Sequence, residues 1–342
     1  MPDIQLDPYV EALDEFPLTG TATERLRAAV RYAVQAPSSH NSQPWAFRMR
    51  SDALELRADR TRGLPVVDPD DRELVISCGA ALFFVRLALR HFGVAPQVER
   101  LPDAGDPDCM ARVRITGTWQ RTATDEGLFH AIAVRHTNRL PCDPRCLPEH
   151  LPGTLEAAAR EEGAWLHVFR TAAARAAAAS LVAEGDRLQM ADKRFRRELA
   201  AWLRPNWTNR PDGMPGYALG FGDVMSAAGP LIVRTFDVGR GVAARDQDLV
   251  TGSPLLALIG TRRDMPGDWL NAGEALAHVL LRAQVEGVSA SFLNQAIEVP
   301  ELRPRLQCVA GRDGFPQLLL RLGYAPPVPA TARRPVSEVL SG

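Results

Sequence analysis

The feature that most constrains the fold of this chain is an internal repeat of one apolar helix. The segments "CGAALFFVRLALRHFG" and "NAGEALAHVLLRAQVEG" both place Gly-x-Ala-Leu at the start of a helical pattern and a glycine at its end. The interval from Gly79 to Gly93 equals the interval from Gly273 to Gly287. Self-similarity of this kind indicates repeated structural units, although two unrelated amphipathic helices can also match by chance.

The strand patterns around these helices match in the same way. "WAFRMR" aligns with "WLHVFR" through Trp45 and Trp165, and "RVRITG" aligns with "LLLRLG" through Gly117 and Gly323. Alternating apolar residues are typical of strands, whereas apolar residues three or four positions apart are typical of helices. Because helices and strands recur in one order, we predict an α+β fold made of two diverged copies, residues 1–127 and 128–342.

Composition narrows the class of protein only broadly. The chain has 342 residues, of which 46% are hydrophobic and 24% charged, and its formal net charge is −1. These values are typical of a globular protein with a packed core, and they give no reason to expect nucleic acid or an anionic membrane as a partner. No apolar run approaches the roughly 20 residues of a membrane span. The acidic N-terminus lacks the apolar region of a secretory signal, so we expect a cytoplasmic protein.

The five cysteines do not suggest a metal site. "CDPRC" places Cys142 near Cys146, but no second pair of cysteine or histidine residues stands at a spacing typical of zinc. We therefore expect free thiols and no metal. The basic residues are almost all arginine, which indicates a bacterial genome of high GC content.

The two copies differ where polar residues are concentrated. Residues 37–45 read "PSSHNSQPW" and follow an apolar helical pattern, while in the second copy "REEGAW" runs straight into the strand. Conversely, the second copy begins with "RHTNR" at residues 135–139, and no such basic pattern precedes the helix of the first copy. The alignment also places Arg321 opposite Ile115. A site shared by the two copies is therefore expected once per chain, with its mirror image lost.

Five motifs along the chain resemble those of one family of flavin enzymes. They are "APSSHNSQPWAF", "RHTNRLP", "AGEALAHVLLRAQVEG", "PQLLLRLGY" and "RRPVSEVL", and together they resemble the nitroreductase family of FMN-dependent oxidoreductases. Their order differs from that of an ordinary member, and the chain is similar to the duplicated, Acg-like branch, in which two units are fused. The resemblance covers roughly residues 20–340. It implies a three-layer nitroreductase-like fold whose two copies form an intramolecular pseudo-dimer.

The resemblance also implies one FMN between the copies, bound by residues of both. The expected set is Pro37, Ser38, Ser39, Asn41 and Gln43 from the first copy, and Arg135, Thr137, Arg139, Ser289, Ser291 and Arg321 from the second. Arginine forms charge-assisted, often bidentate hydrogen bonds with a phosphate dianion. Arg135 and Arg321 are therefore assigned to the FMN phosphate, and Thr137 to the phosphate or the ribityl chain.

The other residues of this set are assigned to the flavin ring. Arg139 is expected near the pyrimidine edge, where a cation stabilises the reduced flavin. Asn41 and Gln43 supply donors and acceptors for the same edge. The backbone of residues 37–39 is expected against the ring or ribityl chain, and that of residues 289–291 near N5. No side chain is assigned as catalytic, because the flavin carries the chemistry.

Some of these residues also have simpler interpretations. Arg135 and Arg139 can be ordinary solvated arginines. His40 is more easily explained as a loop histidine than as a proton donor. His278 lies within an apolar helical pattern and is more typical of a core histidine than of a ligand.

The implied reaction is hydride transfer from NADH or NADPH through flavin N5 to a small acceptor such as a quinone or nitro compound. Residues 202–223, rich in Pro, Gly, Asn and aromatic residues, are predicted to form an ordered lid. A lid that covers the flavin would favour a protein that sequesters FMN with little turnover, and loss of FMN is a third alternative. The tail "TARRPVSEVL" is expected to cross from the second copy to the first. One chain would form its own pseudo-dimer, and further oligomerisation is left open.

Overall fold

Two β-sheets with corresponding strand order form the framework of the chain. The computed structural model describes residues 16–237 and 239–342. The acidic N-terminal stretch, for which the sequence predicts no secretory signal, lies outside the described residues. The strands are β1 (Trp45–Arg50), β2 (Ala53–Ala58), β3 (Val94–Arg100), β4 (Cys109–Thr118), β5 (Trp165–Val168), β6 (Leu203–Arg204), β7 (Met214–Pro215), β8 (Leu255–Thr261), β9 (Ser289–Phe292), β10 (Phe315–Gly323) and β11 (Leu340–Ser341). The first sheet has the order β11-β1-β2-β4-β3, the second β5-β8-β10-β9, and β6 pairs with β7.

The helices pack around these sheets. They are α1 (Ala22–Ala33), α2 (Arg72–His91), α3 (Ala123–Val134), α4 (Leu151–Glu161), α5 (Ala172–Ala191), α6 (Lys193–Trp202), α7 (Asp223–Thr235), α8 (Gly239–Thr251), α9 (Pro266–Val285), α10 (Gln295–Glu298), α11 (Arg303–Ala310) and α12 (Val336–Val339). Local chemistry sets several of their ends. Thr21 and Glu24 form a capping box at the start of α1, and the Asp192 side chain caps α6 directly after α5 ends.

The two repeated helices, α2 and α9, pack against each other at the centre of the molecule. Their backbones come closest at Gly79 and Gly273, the residues that the sequence alignment equates. A methyl group on Gly79 would lie 2.1 Å from the carbonyl oxygen of Leu270, and one on Gly273 would lie 2.0 Å from that of Ile76. The two contacts are reciprocal, since Ile76 and Leu270 are separated by the same interval as the two glycines. Reciprocal contacts are typical of an interface with twofold symmetry.

A long insertion separates two strands of the second sheet whose counterparts in the first sheet are joined by a short turn. In the first sheet, β1 and β2 are joined by the two residues 51–52, and Ser51 has a φ of 56°. The equivalent strands β5 and β8 are separated by residues 169–254, which contain α5 to α8 and the β6–β7 pair. We call residues 169–254 the insertion. The predicted lid, residues 202–223, is part of it.

The strand register near Arg321 differs between the two sheets. Counted from the glycines that follow α2 and α9, Gln97 on β3 corresponds to Ser291 on β9. Gln97 pairs with Arg114, and Ser291 pairs with Arg321. A bulge at Thr116, between the pairs Ala95–Gly117 and Pro96–Ile115, shifts this pairing by one residue.

The strands on the other side of β4 and β10 give a different correspondence. Trp45 and Trp165 pair with Ala58 and Gly260, so Leu54 on β2 corresponds to Leu256 on β8. Leu54 pairs with Val113, and Leu256 pairs with Arg321. The strand register therefore gives Arg321 no single counterpart in the first sheet.

The C-terminal tail returns to the first sheet, as the sequence predicted. β11 runs parallel to β1, with Phe47 opposite Leu340. Arg334 donates hydrogen bonds to the carbonyl oxygens of Gln43 and Trp45, at 3.2 and 3.3 Å. The boundary predicted between residues 127 and 128 falls inside α3, and Leu128 packs into the core of the first sheet.

One helix in the described ranges, α2, is long and apolar enough to span a membrane, and most of it is buried inside the protein. The five cysteines are all free thiols, as expected. His278 is buried and its ring stacks on that of Phe83, which confirms that it is a core histidine.

Candidate functional site

A cavity of about 330 Å³ lies between the second sheet, α2 and the insertion. Its volume is in the range of small-molecule sites. The insertion contributes an apolar wall that includes Phe195, Leu199, Leu203, Leu219, Phe221 and Val242. Opposite this wall lies the polar loop, which we define as residues 37–45. Three of the wall residues, Leu203, Leu219 and Phe221, belong to the segment 202–223 that the sequence predicts as a lid.

The polar loop holds an unusual backbone conformation. His40, Asn41 and Gln43 all have positive φ angles, of 53°, 53° and 52°. Such conformations cost of order 1–3 kcal/mol each in residues other than glycine and concentrate at functional sites. Hydrogen bonds of the loop offset part of this cost. The Ser38 hydroxyl accepts a hydrogen bond from the backbone amide of Gln43 at 2.9 Å, and the Ser39 hydroxyl donates to the Glu73 carboxylate at 2.5 Å.

The structure brings most of the predicted site residues to this cavity. Those that line it are Pro37, Ser38, Ser39, Thr137, Arg139, Ser291 and Arg321. Thr137 is positioned by a parallel β-bridge to Ala290 on β9. The four other predicted residues, Asn41, Gln43, Arg135 and Ser289, lie outside the cavity lining. Ser289 is paired with Gly323 at the end of β9.

Asn41 and Gln43 hold the lid and the tail. The Asn41 amide donates to the carbonyl oxygens of Gly213 and Ala332, at 3.0 and 3.1 Å. The Gln43 amide donates to the carbonyl oxygen of Pro211 at 2.7 Å, and its oxygen accepts from the Arg334 backbone amide at 2.8 Å. Because these bonds occupy both amide groups, the geometry does not support their assignment to the pyrimidine edge of a flavin.

Arg321 is bonded to the chain itself. Its guanidinium donates to the carbonyl oxygens of Asn138 and Leu140, at 3.2 and 3.0 Å, and to the Cys142 sulfur at 3.2 Å. The side chain is buried, and burial lowers its pKa below the ordinary value. Through these bonds Arg321 holds residues 138–142 in place, the segment that contains Arg139. The geometry does not support its assignment to a phosphate.

Arg135 is a buried cation near another arginine. Its side chain is only 4% exposed, and its one hydrogen bond in the described chain is a long contact of 3.5 Å to the carbonyl oxygen of Gln35. Burial, together with the positive charge of Arg333, lowers the pKa of Arg135 to about 9. Burial and the same two arginines lower the pKa of His136 to about 4. Among the described residues, no carboxylate forms an ion pair with Arg135, so this region favours an anion.

Arg139 lines the cavity together with residues of the polar loop. Its guanidinium donates to the carbonyl oxygen of Ala218 in the lid at 3.3 Å. Burial lowers the pKa of Arg139 to about 10, an effect that Asp246 opposes. Arg139 therefore remains charged at neutral pH. Burial also lowers the pKa of His40 to about 4, so His40 is neutral there.

Sequence reasoning missed two groups of residues at this site. Arg333, from the tail, donates to the Asn41 side chain at 3.1 Å and lies near Arg135. The only sequence signal for it was its place in the "RRPVSEVL" motif. Glu73 and Glu298 also line the cavity, and their isolated positions on α2 and α10 gave no signal.

The lid is fastened by ion pairs at its base. Asp212 accepts hydrogen bonds from Arg62 at 2.6 Å and from Arg204 at 3.0 Å. Burial acts against the charged form of Asp212, but these two bonds outweigh it and keep the pKa below the ordinary value. The Tyr217 hydroxyl donates to the carbonyl oxygen of Ala330 in the tail at 2.8 Å. The predicted lid is thus an ordered segment.

Comparison with known proteins assigns the family. No family model matches the chain. A Mycobacterium tuberculosis protein named "Putative NAD(P)H nitroreductase Rv3131" is 33% identical over 327 residues, which cover 93% of this chain and 91% of that protein. "Putative NAD(P)H nitroreductase acg" of the same organism is 31% identical over 94% of this chain and 97% of its own length. "Uncharacterized protein Rv3127" is 32% identical over 92% of each.

Solved structures show a more distant similarity. The FMN and NADPH-dependent nitroreductase NfnB from Sphigopyxis sp. strain HMH is 20% identical and superimposes with a TM-score of 0.42, over 63% of this chain and 98% of that one. The NfnB enzyme of Mycobacterium smegmatis, solved with NADPH, has a TM-score of 0.38 at 14% identity. The family is therefore assigned from the curated relatives, which match this chain over nearly their whole length. The chain belongs to the NAD(P)H nitroreductase family, in its Acg-like branch.

Proposed function

We propose that this protein is an FMN-dependent NAD(P)H oxidoreductase that delivers hydride to a quinone, a nitro compound or a related electrophile. Family membership supports the reaction class. The observation that carries the assignment of FMN is the buried Arg135, which has no carboxylate partner in the described chain. A buried charge without a counterion is costly, and a phosphate dianion would supply the missing charge.

The residues present fit an FMN phosphate near Arg135. Arg333 lies close enough for its charge to act on Arg135, and Thr137, two residues further along, lines the cavity, so two guanidinium groups and one hydroxyl would serve a dianion. Charge-assisted bonds of this kind are roughly twice as strong as neutral ones. Arg321 is given a different role from the one first expected, since it holds residues 138–142 in place.

The cavity fits the flavin ring. Ile76, Leu276 and Leu318 provide apolar surface, and the charged Arg139 provides a cation. When bound, FMN would supply the two-electron chemistry, and Arg139 would stabilise the negative charge that reduction places on the ring. Residues of the polar loop and of the insertion line the same space.

We further propose that the two copies form an intramolecular pseudo-dimer with one FMN site. The reciprocal contacts of Gly79 and Gly273 support this arrangement, as do the matching strand orders. The mirror-image site lacks a polar loop, and the arginine on β4, Arg114, is 40% exposed and faces Asp52 and Glu99. The division into residues 1–127 and 128–342 is part of this proposal.

A second candidate function is FMN storage with little turnover. The closed lid favours it, because Asn41, Gln43 and Arg62 all bind the lid backbone or Asp212. A lid that stays closed would keep nicotinamide from the flavin.

Anaerobic reduction separates the two functions. The purified protein is loaded with FMN, and the flavin absorbance is followed after addition of NADH or NADPH, and separately of dithionite. Rapid bleaching by either nicotinamide supports the oxidoreductase. Bleaching by dithionite alone supports storage and contradicts our proposal.

A further inference from the structure

Two carboxyl groups from different elements meet at the cavity wall. Glu73 begins the first turn of α2, and Glu298 ends α10. Asn294 joins the two, since its side-chain amide donates to the Glu73 carboxylate at 3.4 Å and its carbonyl oxygen accepts from the Glu298 backbone amide at 2.9 Å. Both residues line the cavity. Two carboxylates this close cannot both be charged at modest cost, so such a pair holds one proton.

The surrounding bonds decide which carboxyl group keeps the proton. Glu73 accepts hydrogen bonds from Ser39 at 2.5 Å and from Arg72 at 3.1 Å, and the Arg72 contact is an ion pair. Glu298 accepts one bond, from the Gln189 amide at 2.6 Å. Glu73 therefore has the partners that stabilise a carboxylate, whereas Glu298 faces that carboxylate across the pair.

The other charges near the pair agree with this distribution. Burial raises the pKa of Glu298 well above its ordinary value, the negative charge of Glu73 raises it further, and Gln189 and Arg72 oppose the rise. Asp68, which precedes α2, and Asp186, on α5, are further acids with raised pKa values, at about 6 and about 7. His40 on the polar loop is neutral because burial lowers its pKa to about 4. Arg72 thus supplies the positive charge beside the two carboxyl groups.

We propose that Glu298 holds a proton at neutral pH and presents it to an acceptor molecule bound in the cavity. The proposal rests on the proposed oxidoreductase function. Reduction of a quinone to a hydroquinone requires one hydride and one proton. The hydride would come from the reduced flavin, while the O–H bond of the Glu298 carboxyl group breaks and its proton passes to a quinone oxygen. Glu298 is left as a carboxylate and regains a proton from water.

Infrared spectroscopy tests the protonation without any turnover. The spectrum of the purified protein at neutral pH is recorded for wild type, Glu298→Gln and the matched control Glu301→Gln, an exposed acid three residues away. We expect the C=O stretching band of a protonated carboxyl group in wild type and in Glu301→Gln, and a loss of band intensity in Glu298→Gln. Equal band intensity in all three proteins would overturn the proposal.

Kinetics test the delivery of the proton. The FMN-loaded protein is reduced with dithionite and mixed anaerobically with 1,4-naphthoquinone in a stopped-flow instrument. General acids typically contribute 10²–10⁴-fold, so we expect Glu298→Gln to reoxidise about a hundredfold more slowly than wild type. The wild-type rate should fall as pH rises through the pKa of Glu298, and Glu73→Gln should move that fall to lower pH. Equal rates and pH profiles in wild type and Glu298→Gln would overturn the role as proton source.

The two proposals fail in different ways. If the wild-type protein retains no FMN, the proposed oxidoreductase function fails, and with it the role as proton source. The infrared result still decides whether Glu298 holds the proton.

Discussion

Gly79 and Gly273 meet backbone to backbone where α2 and α9 cross, although 194 residues separate them in the chain. Each glycine lies against the carbonyl oxygen three residues before its counterpart. The alignment of the two sequence repeats equates the same two glycines. Reciprocal contacts of this kind are expected if one unit was duplicated and its two copies pack against each other through the same helix, here α2 and α9.

Alanine at either glycine should destabilise the protein. A methyl group at Gly79 or Gly273 would meet a carbonyl oxygen at about 2 Å, and overpacking of this kind typically costs 1–3 kcal/mol. Gly153 on α4 has no atom within 4 Å of such a methyl group, so Gly153→Ala should instead be neutral or stabilise the helix by roughly 0.5–1 kcal/mol. Urea unfolding measures all three variants. Wild-type stability in Gly79→Ala would contradict the close packing.

Acid should weaken the contact between the two central helices. Arg86 on α2 forms ion pairs of 2.5 Å with both Glu162 and Glu274. Burial acts against the charged form of Glu162, but hydrogen bonds from His278 and Arg86 outweigh it and lower its pKa to about 2. A depressed folded-state pKa means that the stabilisation is complete above the ordinary pKa of about 4.5 and is lost as pH falls towards 2.

The expected loss is about 2–3 kcal/mol between those pH values. It is measured as the free energy of unfolding in urea at a series of pH values. Glu162→Gln should be less stable than wild type at neutral pH and should depend less on pH below 4.5. Parallel curves for the two proteins would show that Glu162 does not contribute in this way.

Removal of the tail from Arg333 onwards should destabilise the first sheet. The truncation deletes β11, which pairs with the edge strand β1, and Arg334, which bonds to the carbonyl oxygens of Gln43 and Trp45. An unpaired strand edge and the lost hydrogen bonds both lower stability. Thermal unfolding should show a decrease of several degrees, while deletion of Gly342 alone should have little effect. An unchanged melting temperature in the longer truncation would exclude a stabilising role for the tail.

Loss of Asp212 should release the lid. Asp212→Ala leaves Arg62 and Arg204 without their carboxylate, and breaking a buried ion pair typically costs 3–5 kcal/mol. Limited proteolysis should therefore cut residues 202–223 faster in this variant than in wild type or in Asp103→Ala, an exposed control. Equal cleavage rates would show that Asp212 does not hold the lid closed.

The sequence predicted the elements of the fold better than their contacts. The repeat, the strand patterns and the crossing tail all follow from local periodicity and alignment, which are visible in one chain. The register of Arg321 does not, because a bulge at Thr116 shifts the pairing by one residue. Of the insertion between β5 and β8, the sequence predicted only residues 202–223 as an ordered lid, because their composition is unusual, whereas the strands that the insertion separates are paired only in the folded chain.

The candidate site was predicted in part for the same reason. The polar loop and residues 137 and 139 reach the cavity, as the motifs indicated. Asn41 and Gln43 bind the lid instead, because backbone groups from residues distant in sequence reach them first. Glu73 and Glu298 come together through contacts between residues far apart in the chain, such as that of Asn294 with Glu73, which no single-sequence pattern reports.

The number of FMN molecules per chain, measured in wild type and in two arginine variants, tests the central claim most directly. Flavin released from a known amount of protein by denaturation is quantified by its absorbance. If the chain has one FMN site with Arg135 at the phosphate, we expect one FMN per chain in wild type and a large loss of bound FMN in Arg135→Ala. The control Arg114→Ala should keep the wild-type FMN content. Two FMN molecules per chain, or full FMN content in Arg135→Ala, would contradict it.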